Sequence, residues 1–158
     1  MIKKGIKIIS GGQTGADRAA LDVAVRLGLP YGGAIPKGRL TEDGPLSDKY
    51  KGMVELDTSE YPVRTERNVV DSDATLIFTL GAPDRGTSLT IKLAKKYRKP
   101  FLIINLKEED KIKTIEKIKK WLKDTSPHIL NVAGSRESHA KGIYEKVFNI
   151  LMKVFEVS

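Results

Sequence analysis

The chain has 158 residues, 40% hydrophobic and 30% charged, a balance that suits one domain (1–158) with its own core and calls for no second one. Cysteine is absent and His128 and His139 stand apart without ligand spacing, which excludes a disulfide framework and a thiolate metal site, so no directly protein-ligated metal is expected. The net charge of +8 raises the question of an anionic partner, while apolar runs such as Phe101 to Leu106 fall far short of the roughly 20 residues that span a bilayer.

The start, "MIKKGIKIIS", is basic, but its apolar stretch is interrupted by Lys7 and is too short for a signal-peptide core, so a cytoplasmic location is expected. A first strand is predicted over 6–10 and a helix over 16–28, with Ala20, Ala24 and Leu27 on one face. A weaker strand signal covers about 30–35. Residues 36–63 then carry proline, glycine and charge with little periodicity, a length of irregular chain that in a compact domain points to function or disorder. Beyond it the pattern predicts a helix over about 64–72, a strand over 74–80, a helix over 87–98 and a strand over 101–105. The last elements are a helix over 108–124 with Ile112, Ile115, Ile118 and Leu122 as its apolar stripe, a strand over 129–133, and a helix over 137–155 with Ile143, Val147, Ile150, Leu151 and Val154 inward. Strands alternating with amphipathic helices are the mark of βαβ units, so the fold class is α/β with a mostly parallel sheet of about five strands. Lys113, Lys117 and Lys120 fall on the solvated face of the fourth helix, and no aromatic-interleaved basic stripe accompanies the charge; neither nucleic acid nor membrane is an expected partner.

In such a sheet, ligands bind where the loops gather at the carboxyl ends of the strands. Three of those loops carry unusual chemistry. After the first strand, Gly11, Gly12 and Gly15 allow a sharp turn and close backbone approach, Gln13 and Thr14 add donors, and Asp17 is placed to cap the following helix or sit against its first turn. After the third strand, Gly86, Thr87 and Ser88 stand where a helix begins, and after the fifth, Gly134, Ser135 and Arg136 do the same. Each loop alone is equally a tight turn or an ordinary cap; three side by side suit a phosphate or pyrophosphate better than a metal. In the long loop, Lys37 and Arg39 are candidate anion clamps, with Glu42 and Asp43 as candidate partners for a hydroxyl or base edge. Arg64, Asn68 and Asp71 recur at i, i+4 and i+7 and share a helical face, read either as a site or as a solvated face with an Arg–Asp pair.

The motifs "GGQTGAD", "PKGRLTEDGP", "RTERNVVDSDATLIF", "RGTSLT" and "NVAGSRES" resemble, in that order, those of the putative molybdenum carrier family, over about residues 8–145. That family is similar to the lysine-decarboxylase-like (LOG) and DprA/Smf proteins. The resemblance implies a single Rossmann-like three-layer α/β/α domain, homo-oligomeric, with molybdenum cofactor (a pterin phosphate) or a nucleotide as its ligand. It places Gly11 to Gly15 and Gly86, Thr87 and Ser88 against that ligand. LOG enzymes carry a glutamate in the motif where this chain has Thr90, which weakens the reading as a nucleotide-cleaving enzyme and leaves the catalytic residues unknown.

Three functions therefore stand open: a binding protein for a phosphorylated heterocycle, a nucleotide or nucleoside-phosphate hydrolase using Glu42, Asp43, Asp71 or Glu137, and a nucleotide sensor or nucleic-acid-associated protein. For assembly, Phe148, Phe155 and Val157 either extend an apolar surface for a second copy or complete the core.

Overall fold

The structure is a computed structural model that describes residues 5–156. In chain order its strands are β1 (Lys7–Ile9), β2 (Tyr31–Ile35), β3 (Leu40–Thr41), β4 (Gly44–Pro45), β5 (Met53–Glu55), β6 (Ala74–Thr79), β7 (Phe101–Asn105) and β8 (Ile129–Gly134). Its helices are α1 (Ala16–Leu27), α2 (Tyr61–Asp71), α3 (Arg85–Lys96), α4 (Lys111–Thr125) and α5 (Ile143–Phe155). Six strands form one sheet in the order β5-β2-β1-β8-β6-β7, every pairing parallel, and β3 with β4 makes a separate antiparallel hairpin. β8 is inserted between β1 and β6, with Leu130 opposite both Ile8 and Ala74.

The period of two along the strands sorts side chains into two unlike faces. Ile8, Leu76, Phe78, Leu130 and Val132 point to the layer of α1, α4 and α5 and form the main core with Ala20, Ala24, Ile118, Leu122, Val147 and Leu151. The opposite face meets α2 and α3, where a small cluster of Val69, Leu93 and Ala94 holds the two helices together. On that face the strands place Thr75, Thr79 and Asn131, all buried, with the Asn131 amide donating to the Thr75 hydroxyl at 3.4 Å.

The sheet has six strands where about five are expected. The added one, β5, is a three-residue edge strand with Val54 and Glu55 exposed, too short and too solvated to leave a periodic signal. α2 begins at Tyr61, ahead of 64, because Pro62 sits in its first turn, where its missing N–H costs nothing. α5 begins at Gly142–Ile143 and not at 137; the six residues before it are turns. In α4 the stripe is rotated: Thr114, Ile118 and Leu122 are buried, while Ile112 is 67% exposed. Phe155 is buried, and Phe148 packs against the core and stacks on Tyr144 at 6.0 Å, so these two complete the core; Val157 lies outside the described residues. No described helix is long and apolar enough to cross a membrane.

Ile118→Ala should cost about 2–5 kcal/mol through lost burial and the cavity left behind, whereas Ile112→Ala should change stability by no more than about 0.5 kcal/mol. Urea denaturation of the two variants tests the orientation of α4.

Candidate functional site

The connections leaving β1 and β6 run to opposite edges of the sheet, and the reversal opens a crevice at the carboxyl ends of β1, β8 and β6. α2 and α3 pack together at Val69 and Leu93, and a cleft of about 590 Å³ is lined by residues of their N-terminal and middle turns. One wall is the α2 face of Tyr61, Arg64, Thr65 and Asn68, the other the α3 face of Arg85, Ser88, Leu89 and Lys92, and the floor is Asn131 to Gly134 of β8.

At the back of the cleft Arg64 is buried with its Nη1 donating to the Gly11 carbonyl at 2.5 Å and lying 3.7 Å from an Asp17 carboxylate oxygen. A Cβ at position 11 would stand 2.0 Å from that guanidinium nitrogen, which explains the glycine there. Burial pushes the Asp17 carboxyl up from 3.8 to about 6, against the opposing pull of Arg64 and of the Gln13 N–H it accepts. Burial likewise lowers the Arg64 pKa. Arg64 Nε and the Thr87 hydroxyl, both buried in residues of the cleft lining, have no hydrogen-bond partner among the described residues. Asn68 also lines the cleft, but its amide grips β2, accepting from the Ala34 N–H at 2.7 Å and donating to the Ala34 carbonyl at 3.1 Å. Asp71, half exposed in the last turn of α2, pairs with Arg67 at 2.8 Å and is not part of the cleft lining.

The first turn of α3 is the open end of the cleft. Asp84 caps it, accepting from the Thr87 N–H at 2.8 Å, and the N–H groups of Arg85 and Gly86 have no acceptor among the described residues. Arg85 and Lys92, seven residues apart on the cleft face, are exposed and make no ion pair among the described residues. Thr90, at the position where the LOG motif has glutamate, lines the cleft and donates to the Gly86 carbonyl at 3.1 Å.

The glycine turn after β1 is spent differently. Its Gly12 N–H donates to Ser10 Oγ, Gln13 N–H to Asp17, Thr14 N–H to the Gln13 side chain, and Ala16 N–H to the Ser135 carbonyl. Gly15, at φ 79°, lets the backbone of Ser135 to Glu137 press onto the start of α1, where a Cβ would meet the Ser135 oxygen at 2.4 Å. Ser135 is fully buried, and its hydroxyl has no hydrogen-bond partner among the described residues. The sequence-predicted residues Gly11, Gln13, Arg64, Asn68, Gly86, Thr87, Ser88, Gly134 and Arg136 thus come together in the cleft lining, while Gly12, Thr14, Gly15 and Ser135 lie behind it.

The candidates of the long loop fall outside the lining. Glu42, at the tip of the β3–β4 hairpin, accepts from the Thr14 and Ser138 hydroxyls and from the Ser138 N–H at 3.1 Å, and lies 3.2 Å from Arg136 Nε. Partial burial works to raise its pKa, but these donors together hold it below the usual carboxylate range. Asp43 bonds Thr41 and pairs with Arg18 at 3.4 Å. Arg39 donates to the carbonyls of Leu46, Ser47 and Tyr50 and closes its own loop; Lys37 is exposed, its backbone N–H donating to Thr58. Glu137 accepts from the Gly142 and Tyr144 N–H groups and caps α5. The residues that sequence reasoning missed are Tyr61, Asp84, Arg85 and Lys92; the Asp-Arg-Gly-Thr-Ser order was the available signal for the middle pair, since an aspartate two residues before the glycine is the natural N-cap.

A family model for the circularly permutated YpsA SLOG family matches residues 8–155. The chain belongs to that family. Its membership fits the topology, since β8 and α5, late in the chain, stand beside β1 and α1 at the centre of the fold. A crystal structure of a putative molybdenum carrier protein from Syntrophus aciditrophicus SB is 43% identical, with a TM-score of 0.93 over 96% of each chain, and shares the three-layer architecture. Comparison with curated protein sequences finds no match.

Two tests follow from this geometry. Thr14→Val removes a hydroxyl that donates to Glu42 and accepts from the Glu137 N–H at 3.1 Å, and should lower stability by about 1–3 kcal/mol in thermal or urea unfolding with no ligand present. The Asp17 carboxyl, with a folded pKa of about 6 above its ordinary 3.8, favours the fold when protonated. That contribution is full below 3.8 and is lost as pH rises through about 6, so the wild-type melting temperature should fall across this window and Asp17→Asn should flatten the slope.

Proposed function

We propose that this protein binds a small phosphorylated heterocycle, a nucleotide or the pterin phosphate of molybdenum cofactor, in the cleft between α2 and α3. The observation that carries the reading is the pair of unpartnered cations, Arg85 and Lys92, on the cleft face of a helix whose first-turn N–H groups are open. Arg64 and Arg136 add two more positive charges to the lining against the carboxylates of Asp17 and Asp84, leaving an excess of two when both acids are ionised. The volume, about 590 Å³, lies within the range of roughly 300–1,000 Å³ typical of sites for drug-sized molecules and exceeds what a bare oxyanion fills.

The unpartnered Thr87 hydroxyl and Arg64 Nε fit a phosphorylated ligand, since both are donors that the protein itself leaves unused. Thr87, Ser88 and Arg85 would hold its anionic end. Molybdenum, where present, is cargo already held by its pterin: the chain has no cysteine, and the described residues contain no cluster of three or more histidine or acidic side chains able to hold a metal. The Syntrophus neighbour, described as a molybdenum carrier, supports the carrier form of this reading. Assembly into a homo-oligomer is proposed on family resemblance alone.

Hydrolysis of a nucleotide is the second reading, favoured by Asp17, a buried acid raised to about 6 beside Arg64 in the cleft. Glu42, Asp43, Asp71 and Glu137 do not line the cleft; of the two acids that do, Asp84 is engaged as the cap of α3, and Asp17 is the candidate acid.

Replacing Arg85 and Lys92 together by glutamine should weaken binding of AMP or a pterin monophosphate about 10- to 100-fold in isothermal titration, with the ligand-free melting temperature unchanged. Unaltered affinity would remove the cleft from the proposal.

A further inference from the structure

We propose that Tyr61 is the aromatic platform of the cleft and that the ligand carries a flat heteroaromatic ring stacked on it. The inference rests on the reading above only in placing the ligand in this cleft; it assigns the ligand's second end and the residue that selects it.

Tyr61 opens α2 at the lip of the cleft and is 39% exposed, a large ring left partly in water beside a concave surface. Its hydroxyl has no hydrogen-bond partner among the described residues, so no polar contact explains its position. Arg64, one turn further along the helix, sets its guanidinium carbon 5.2 Å from the ring centroid. Because that guanidinium is fixed from behind by the Gly11 carbonyl and Asp17, the ring is held against a rigid cation. Pro62 follows it in the first turn of α2 and limits backbone movement at the lip. Across the cleft stands Leu89 of α3, an apolar side chain facing the same space. The walls thus divide the cleft into a cationic part at Arg85 and Lys92 and an aromatic part at Tyr61, the two halves of a phosphate attached to a planar ring. A sugar phosphate would use only the first. Stacking on an aromatic side chain is tolerant of ring identity because every base presents a π face, so purine and pteridine rings are both accepted.

The test uses three probes, AMP, adenosine and ribose 5-phosphate, in isothermal titration of the wild type, Tyr61→Phe, Tyr61→Leu and Arg85→Gln. Melting temperature serves as the folding control; the exposed ring at a helix end makes Tyr61→Leu a mild change. The expected result is that Tyr61→Leu weakens AMP and adenosine about tenfold or more, leaves ribose 5-phosphate unchanged, and that Tyr61→Phe restores wild-type affinity. Equal affinity of wild type and Tyr61→Leu for both ring-bearing probes overturns the platform, as does binding of ribose 5-phosphate without preference for AMP; either result leaves the anion site standing. If Arg85→Gln affects neither phosphate while adenosine still depends on Tyr61, the anion reading falls and the platform stands. Failure of every probe to bind the wild type overturns both.

Discussion

A buried guanidinium needs its charge answered, and Arg64 draws on three parts of the chain at once while its Nε stays open. The Gly11 carbonyl takes one N–H, Asp17 supplies the opposing charge, and the Tyr61 ring covers a face. Of these only Asp17 carries a counter-charge, and deleting that carboxyl while keeping the guanidinium is costlier than losing the pair altogether. The contact therefore fixes where α2 sits relative to the first loop and to the start of α1. It also dictates sequence, because only glycine at position 11 leaves room for the side chain.

With that anchor in place, the labour of the three loops divides. The first loop and the β8 loop turn their polar groups on each other: Ser135 covers the start of α1, and Glu42 pins Thr14, Ser138 and Arg136 together from the hairpin above. They form a stiff back wall. The α3 end keeps its first N–H groups and its cations unspent, so the positive end of that helix is the one turned to solvent. The sheet face beneath α2 and α3 carries buried Thr75, Thr79 and Asn131 among its apolar residues, whereas the opposite face is filled with leucine, isoleucine and phenylalanine.

Much of this could be read from periodicity. The stripe of α5 is buried as its spacing requires, and the central strands announce themselves as short apolar runs. What stayed hidden has physical reasons. β5 is a half-exposed edge with three residues, Ile112 belongs to helical spacing yet faces water because Thr114 takes the inward position, and Pro62 resembles a helix breaker while serving as a first-turn residue. The cleft was legible as a gathering of loops, but not the division within it. Nothing local marks Glu42 as a fastener, since its partner Ser138 is 96 residues away. Tyr61 is invisible as a site residue until α2 places it beside α3.

The position of β8 has a consequence for how the molecule comes together. β5, β2 and β1 form one half of the sheet and β6 with β7 the other, and no strand but β8 touches both. During synthesis the two halves emerge first, each presenting an unpaired inner edge, at β1 and at β6. Residues 129–134 must then slot between them, pairing Lys7 with Ile129 across more than a hundred residues of chain. Contacts of such sequence separation close late and slowly, because the loop entropy is spent before the pairing is gained. The keystone of this fold is therefore among the last parts made, and until it arrives the nascent chain is two open ribbons exposed to association with its neighbours.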